Sequence, residues 1–246
     1  GSFIMTGGTL NVGQAGTDGN HAVFSIPWAD QNLIFKAADP ANPPVINITL
    51  DANNRGKDNA ALQIGVKEGN YDIGEGAINI IHTANADYKF SSTSPLYDLS
   101  YDNSGSGELI FSDIVDADDD GPATGVLPDD NSGNIPSPAQ FAQPLTLLND
   151  LTITDGRLDA NDLDITIGNL LTIVDGGEYD PGSNTTLFNG SSPIQRIGLN
   201  GTAPLIGGGF NNVSFSTSGT TKEFEGDLET VVILGNLTIG EGVNLN

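Results

Sequence analysis

The chain is patterned in short bursts. Apolar residues alternate with Thr, Ser, Asn or Asp for four to six positions and then give way to Gly, Asn or Pro. Alternation with period two puts one set of side chains on each face, so each burst predicts a short, half-buried β-strand bounded by turns. The clearest burst is Leu151-Thr152-Ile153-Thr154-Asp155-Gly156, which returns twenty residues later as Leu171-Thr172-Ile173-Val174-Asp175-Gly176. A third copy, Leu237-Thr238-Ile239, has Gly242 as far behind its Leu as Gly156 is behind Leu151. Asn149, Asn169 and Asn236 precede the three copies, so strand and turn recur together. Fainter echoes are Asn161 to Ile165, Asn212 to Phe215, and Gly7-Gly8-Thr9-Leu10-Asn11-Val12. No segment holds a helical period over ten residues without a Gly or Pro break.

A recurrence near twenty residues is the period of a solenoid coil, whose inward Leu, Ile, Val and Phe are covered only by the coils above and below. The expected fold is therefore all-β: a parallel β-helix, or β-solenoid, with coils of about twenty residues. Roughly twelve such coils at the strand spacing would make a rod on the order of 55 to 60 Å long. The alternative is a set of tandem β-sandwich modules, which also give short alternating strands with frequent turns. Sandwich strands need not resemble one another, and their edges call for Lys or Pro, whereas Lys is scarce here. Gly1-Ser2 reads as a cloning scar, and the chain stops inside a strand-like pattern, as a fragment of a longer protein does. Residues 3–100 and 145–246 read as two runs of coils. Between them, 101–144 reads as one long Asp-, Gly- and Pro-rich insertion holding a single strand, Glu108 to Phe111. A shorter irregular turn is expected at Ala37 to Pro44.

Charge narrows the function classes. The 246 residues carry 32 acidic and 8 basic side chains, a formal net charge of -24. The 24 Asp outnumber the 8 Glu, which favours turns over helices. So negative a surface repels phosphate backbones and anionic lipid, and argues against nucleic-acid binding and membrane attachment. No apolar run approaches the roughly 20 residues that span a bilayer, so direct membrane insertion is not expected. The absence of Cys removes disulfides and thiolate metal sites.

At GSNTTLFNGSSPIQRIGLNG (182 to 201), FNNVSFS (210 to 216) and GNLTIGEGVNLN (235 to 246), the order of motifs resembles the repetitive β-solenoid regions of large Bacteroidetes cell-surface proteins. That group includes gliding-motility adhesins exported by type IX secretion. The matching positions are Thr185, Thr186, Phe188, Asn189, Gly190, Gln195, Phe210, Asn211, Asn212, Gly235, Asn236, Leu237 and Thr238. The stretches FIMTGGTLNV and NADYKFSSTSPLYDLSYDNS are similar to other coils of such proteins. The resemblance implies an extracellular location on a bacterial cell surface and a non-catalytic role as a rigid acidic spacer or adhesive stalk in gliding or surface attachment. Its implied partners are neighbouring solenoid segments of the same parent chain and surface glycans. It carries over no catalytic residue, and it does not cover the insertion around Asp116 to Asp130.

Three constellations are candidates for chemistry. Asp116-Ala117-Asp118-Asp119-Asp120-Gly121 begins like a calcium loop, with Asp116, Asp118 and Asp120 as candidate Ca2+ ligands. An EF-hand would place Glu at the twelfth position, where Leu127 stands, so Asp113, Asp129 or Asp130 would have to complete another shell. Without a cation the run is a solvated acidic loop. Asp155, Asp159, Asp162, Asp164 and Asp175 form either an acidic ladder that collects cations or, more simply, turn caps. A polysaccharide-binding or polysaccharide-cleaving β-helix is the alternative function. Its site would involve the Asp116 loop and the nearby Tyr71, Tyr88, Tyr97 and Tyr101, with paired carboxylates, Trp28 as the single Trp and Arg157 or Arg196 as the candidate base. The simpler reading pairs both arginines with neighbouring Asp and packs the aromatics, with Phe188, Phe210, Phe215 and Phe224, into the core. His21 and His82 lie in separate regions, and no G-x-S-x-G elbow suggests a catalytic triad.

Overall fold

Each alternating burst becomes a strand, mostly three to six residues long, and every strand pairing among the described residues is parallel. The computed structural model describes residues 1–13, 24–26, 30–50, 60–83, 85–112, 144–228 and 230–246. The chain winds continuously, adding one layer per turn. The first layer is β1 (Ser2–Met5), β2 (Thr9–Val12) and β3 (Phe24–Ile26), and the second is β4 (Asn32–Phe35), β5 (Val45–Leu50) and β6 (Ala60–Ile64). The third is β7 (Tyr71–Ile73), β8 (Ala77–His82) and β9 (Tyr88–Ser92); the fourth is β10 (Asp98–Asn103) and β11 (Glu108–Phe111). The fifth holds β12 (Leu145–Leu147) and the long β13 (Leu151–Asp159), and the sixth β14 (Ile165–Ile167), β15 (Leu171–Ile173) and β16 (Gly177–Asp180). β17 (Thr185–Phe188) and β18 (Ile194–Leu199) form the seventh, β19 (Asn212–Phe215) and β20 (Thr221–Gly226) the eighth, and β21 (Leu237–Ile239) and β22 (Asn244–Leu245) the ninth.

These strands stack into three faces. Face 1 runs from β1 to β21, face 2 from β2 to β22, and face 3 from β3 through β13 to β16. β13 belongs to two faces because Gly156, at φ 75°, turns the chain between them, and only Gly adopts that conformation without strain. Antiparallel sandwich modules are thereby excluded. The parallel solenoid expected from the repeat is present, though with nine layers, not twelve, and a length of about 40 Å at the strand spacing. The twenty-residue step is realised from Leu151 to Leu171, while Leu99 to Leu151 spans 52 residues. Leu99 and Leu151 stack in register across that longer step.

The core is a set of axial ladders. On face 2, Leu10, Ile46, Ile78, Leu99, Leu151, Leu171, Ile197 and Phe224 occupy one inward column through eight layers. Val12, Ile48, Ile80, Tyr101, Ile153, Ile173 and Leu199 occupy the next. Members between the second and seventh layers are essentially inaccessible, because each is roofed and floored by its neighbours. Phe188 stacks on Phe215 at 5.5 Å and meets Phe210 edge-on at 6.1 Å, so these rings are core as expected.

The first two LTI copies stack in register, Leu151 on Leu171 and Ile153 on Ile173, but Leu237-Thr238-Ile239 lies on face 1 above β19. Any inward-outward-inward triplet fits either face, so identity of motif did not guarantee identity of place. Within 101–144, strand β11 falls at Glu108–Phe111 as read, and β10 continues to Asn103 before it. Face 1 is also split, into three-stranded and five-stranded sheets. Between them Leu96 makes an isolated bridge to Leu147, beside a small apolar void of about 10 Å³ lined by Phe35, Ile73 and Leu96.

Candidate functional site

The densest meeting of charge lies on the outer side of face 3. Parallel register puts Glu108, Arg157 and Glu178 in one column of three successive layers, with Asp159 beside Asp180. Arg157 Nη1 lies 2.9 Å from Glu108 Oε1, and its Nη2 donates to Asp180 Oδ2, so one guanidinium ties the fourth, fifth and sixth layers together. Burial raises the Glu108 pKa, Arg157 opposes that shift, and Asp87, Asp159 and Asp180 add to it. The Asp159 carboxyl is raised as well, first by burial, although the Asn161 amide works against this. Burial pulls Arg157 down, but its hydrogen bond to Asp180 and the surrounding carboxylates hold its pKa above the ordinary value. An arginine serving as a base must release its proton, and this one is held more firmly than in water. Arg196 is likewise engaged, with Nε 3.5 Å from Glu223 and 3.6 Å from Glu225.

The tyrosines do not line a groove with these charges. Tyr88 and Tyr101 are fully buried inside the coil, and Tyr71 and Tyr97 are only partly accessible. A polar cleft of about 130 Å³ opens where Asp175 to Glu178 meets Asn200 to Pro204, and no aromatic ring lines it.

Most of the aspartates in residues 145–246 serve the backbone. Asp162 Oδ1 accepts the Ser183 N–H at 2.6 Å, Asp164 the Thr185 N–H at 2.6 Å, and Asp150 the Leu170 N–H at 3.0 Å, each about one coil onward. Asp87 does the same for Glu108 at 3.0 Å. Asp155, Asp159 and Asp180 close turns within one or two residues of themselves. Asp suits this because its short arm reaches across one layer spacing, which gives a physical reason for its excess over Glu. Asn149 donates to Asp98 at 2.7 Å and Asn169 to Asp150 at 2.8 Å, forming a turn ladder at one corner, while Asn236 stacks on Asn212 elsewhere. A second polar ladder runs along face 2, from Ser100 to Asn79 to Asn47 to Asn11.

Asp116, Asp118 and Asp120, the candidate calcium ligands, lie outside the described residues, as do Asp113, Asp119, Asp129, Asp130, His21 and Trp28. Among the described residues no group of three or more His, Asp or Glu is placed to hold a metal ion. No helix of the described residues is long and apolar enough to cross a membrane.

The reading of the sequence missed the polar groups inside the coil. Lys222 is fully buried; its Nζ donates to Gln195 Oε1 at 2.7 Å and Gly190 O at 3.2 Å, and burial lowers its pKa. Gln195 in turn donates to Ile167 O at 2.9 Å and accepts from the Gly190 N–H at 2.9 Å, so the pair staples three layers from within. His82 is also fully buried, with Nδ1 3.1 Å from the Tyr101 hydroxyl and Nε2 without a hydrogen bond. The signal was available: Lys222 has the parity of Phe224, and His82 that of Ile78 and Ile80.

No family model matches the chain, and no curated protein or solved structure is significantly similar to it.

Proposed function

We propose that this chain is a non-catalytic segment of an extracellular bacterial adhesin or surface filament, working as a rigid acidic spacer. One observation carries the reading: an unbroken inward ladder runs along face 2 through eight layers, while most of the acidic residues among the described residues are engaged in pairs or backbone caps. Such a rod holds its ends apart because bending it would open stacked layers of packed Leu and Ile. Its net charge of -24 keeps neighbouring rods from adhering along their sides. The motifs that resemble gliding adhesins have structural work in this frame. Gln195 and Gly190 build the internal staple, and Phe188 and Phe210 fill the core. Export by type IX secretion, with neighbouring coils of a parent chain and surface glycans as partners, belongs to the same proposal.

The test is a panel of surface polysaccharides incubated with the protein, with and without calcium, and read for both binding and cleavage. The spacer reading expects no turnover in either condition. Release of oligosaccharides that disappears in Arg157→Ala would replace it with the polysaccharide-cleaving alternative.

A further inference from the structure

The sequence holds two Asn-Gly pairs, Asn189-Gly190 and Asn200-Gly201, and both lie in the seventh layer, one before β18 and one after it. An Asn before Gly is the pair most open to deamidation, because no side chain shields the glycine nitrogen from the Asn amide. The fold asks for both glycines. A Cβ at position 190 would sit 2.5 Å from Gly168 O and 2.8 Å from Gln195 Cδ, and at 201 the backbone has φ 90°. The two nitrogens are held in different ways. Gly190 is buried, and its N–H donates at 2.9 Å to Oε1 of the fully buried Gln195. Gln195 is fixed in turn by Lys222 Nζ at 2.7 Å and by the Ile167 carbonyl at 2.9 Å. Asn189 itself is exposed, so its amide is open to attack and the glycine nitrogen is the part withheld. At the other pair the Gly201 N–H donates at 3.0 Å to Asp227 Oδ2 on the exposed outer side, and the Asn200 amide is tied to Ile173 O at 2.9 Å.

We propose that Asn189 is a latent deamidation site and that the buried Gln195 and Lys222 keep it intact. In the reaction the Gly190 nitrogen gives its proton to hydroxide and attacks Asn189 Cγ. The N–Cγ bond forms, the Cγ–Nδ2 bond breaks, and Nδ2 leaves as ammonia with a proton taken from water. Water then opens the resulting succinimide to aspartate or isoaspartate, which adds one negative charge. While Gln195 holds the N–H inside the coil, that nitrogen can neither lose its proton to solvent nor turn toward Cγ. Isoaspartate puts an extra methylene into the backbone of the corner between β17 and β18, so the pair that ties three layers together also preserves the covalent chain that forms them. The proposal does not depend on the spacer reading, since a coil of any function built on this corner needs the same protection.

Peptide mapping by mass spectrometry, on the full chain incubated in mildly alkaline buffer below its melting transition, follows both sites in one sample. In the parent Asn189 should deamidate far more slowly in the folded chain than in the same chain unfolded in urea. In the double variant Gln195→Leu with Lys222→Met, the Gly190 N–H is left inside without its acceptor, which favours local opening of the corner, and Asn189 should deamidate about tenfold faster than in the parent. Asn200 should keep its parent rate and serves as the internal reference. Equal acceleration at both sites marks a general loosening of the coil and overturns the proposal, and so does an Asn189 rate that the double variant leaves unchanged. Amide hydrogen exchange on the parent gives a reading that needs no variant: the Gly190 N–H should exchange much more slowly than the Gly201 N–H, and equal rates or the reverse order also overturn it.

Discussion

Lowering the pH from neutral to about 5 should weaken this protein through His82. The ring is fully buried, holds the Tyr101 hydroxyl through Nδ1 and leaves Nε2 without a hydrogen bond. Burial depresses its pKa to about 4, although the Ala86 carbonyl and the Asp87 charge favour the protonated ring. The unfolded chain protonates near the ordinary value of about 6.5. As pH falls below that, protons bind the unfolded form first. The contribution of the neutral ring is complete above the unfolded pKa and is lost progressively as pH falls from 6.5 to 4. Full loss amounts to about 3 kcal/mol, of which about 2 kcal/mol is gone by pH 5. For a chain of this size that lowers Tm by roughly 4 to 8 °C. Thermal melts at pH 7.5, 6 and 5 of the parent, His82→Asn and His82→Gln isolate the effect, because the difference between proteins removes the carboxylates' shared background. The parent should lose stability across this window relative to both variants, and its His82 resonance should remain that of a neutral imidazole at pH 5.5. Parallel curves for parent and variants would refute the reasoning.

Gln195→Leu should cost about 2 to 4 kcal/mol by stripping Lys222 of one of its two acceptors. The double variant Gln195→Leu with Lys222→Met should recover most of that in urea unfolding. In Gly168→Ala the new Cβ would sit 2.2 Å from Leu148 O, and a loss of about 2 to 3 kcal/mol is expected; Gly198→Ala meets nothing nearer than 3.6 Å and should be neutral or gain up to about 1 kcal/mol, so equal melting shifts would contradict the layer geometry. Asp162→Ala should cost about 1 kcal/mol by uncapping Ser183, and Asp162→Asn less, since Asn tolerates the positive φ of 62° and keeps an acceptor. The Asp162 pKa is lowered, chiefly by the Ser183 amide, so the difference between parent and Asp162→Ala should be present at neutral pH and shrink as pH falls below the carboxylate range.

What could be read from the sequence was whatever depends on alternation alone. The repeat Leu151 to Leu171 announced stacked parallel strands, and Glu108 to Phe111 was visible as a strand between turns. Layer count was not legible, because neighbours in one column can be twenty residues apart, as Leu151 and Leu171 are, or 52, as Leu99 and Leu151 are. Nor was the place of Leu237-Thr238-Ile239, since all three faces ask for the same triplet. Lys222, Gln195 and His82 were hidden by an expectation that polar residues face outward; each is admitted because a layer above or below supplies its partner. Tyr88 and Tyr101 went inward for a related reason. Their rings extend the core columns, and the Tyr101 hydroxyl reaches His82 and the Gly107 carbonyl. The Asp116 run lies outside the described residues.

The interruptions of the faces also set where the molecule would give way. Tension along the axis is shared among the hydrogen-bonded rails joining one rung to the next. Between β7 and β12 face 1 is interrupted but for the Leu96 bridge to Leu147, and above β16 face 3 continues only through the isolated bridges of Tyr179 to Leu205 and Phe210 to Ile233. Two continuous rails bear the load at both levels, so a pulled rod yields there before it yields among the layers that keep all three.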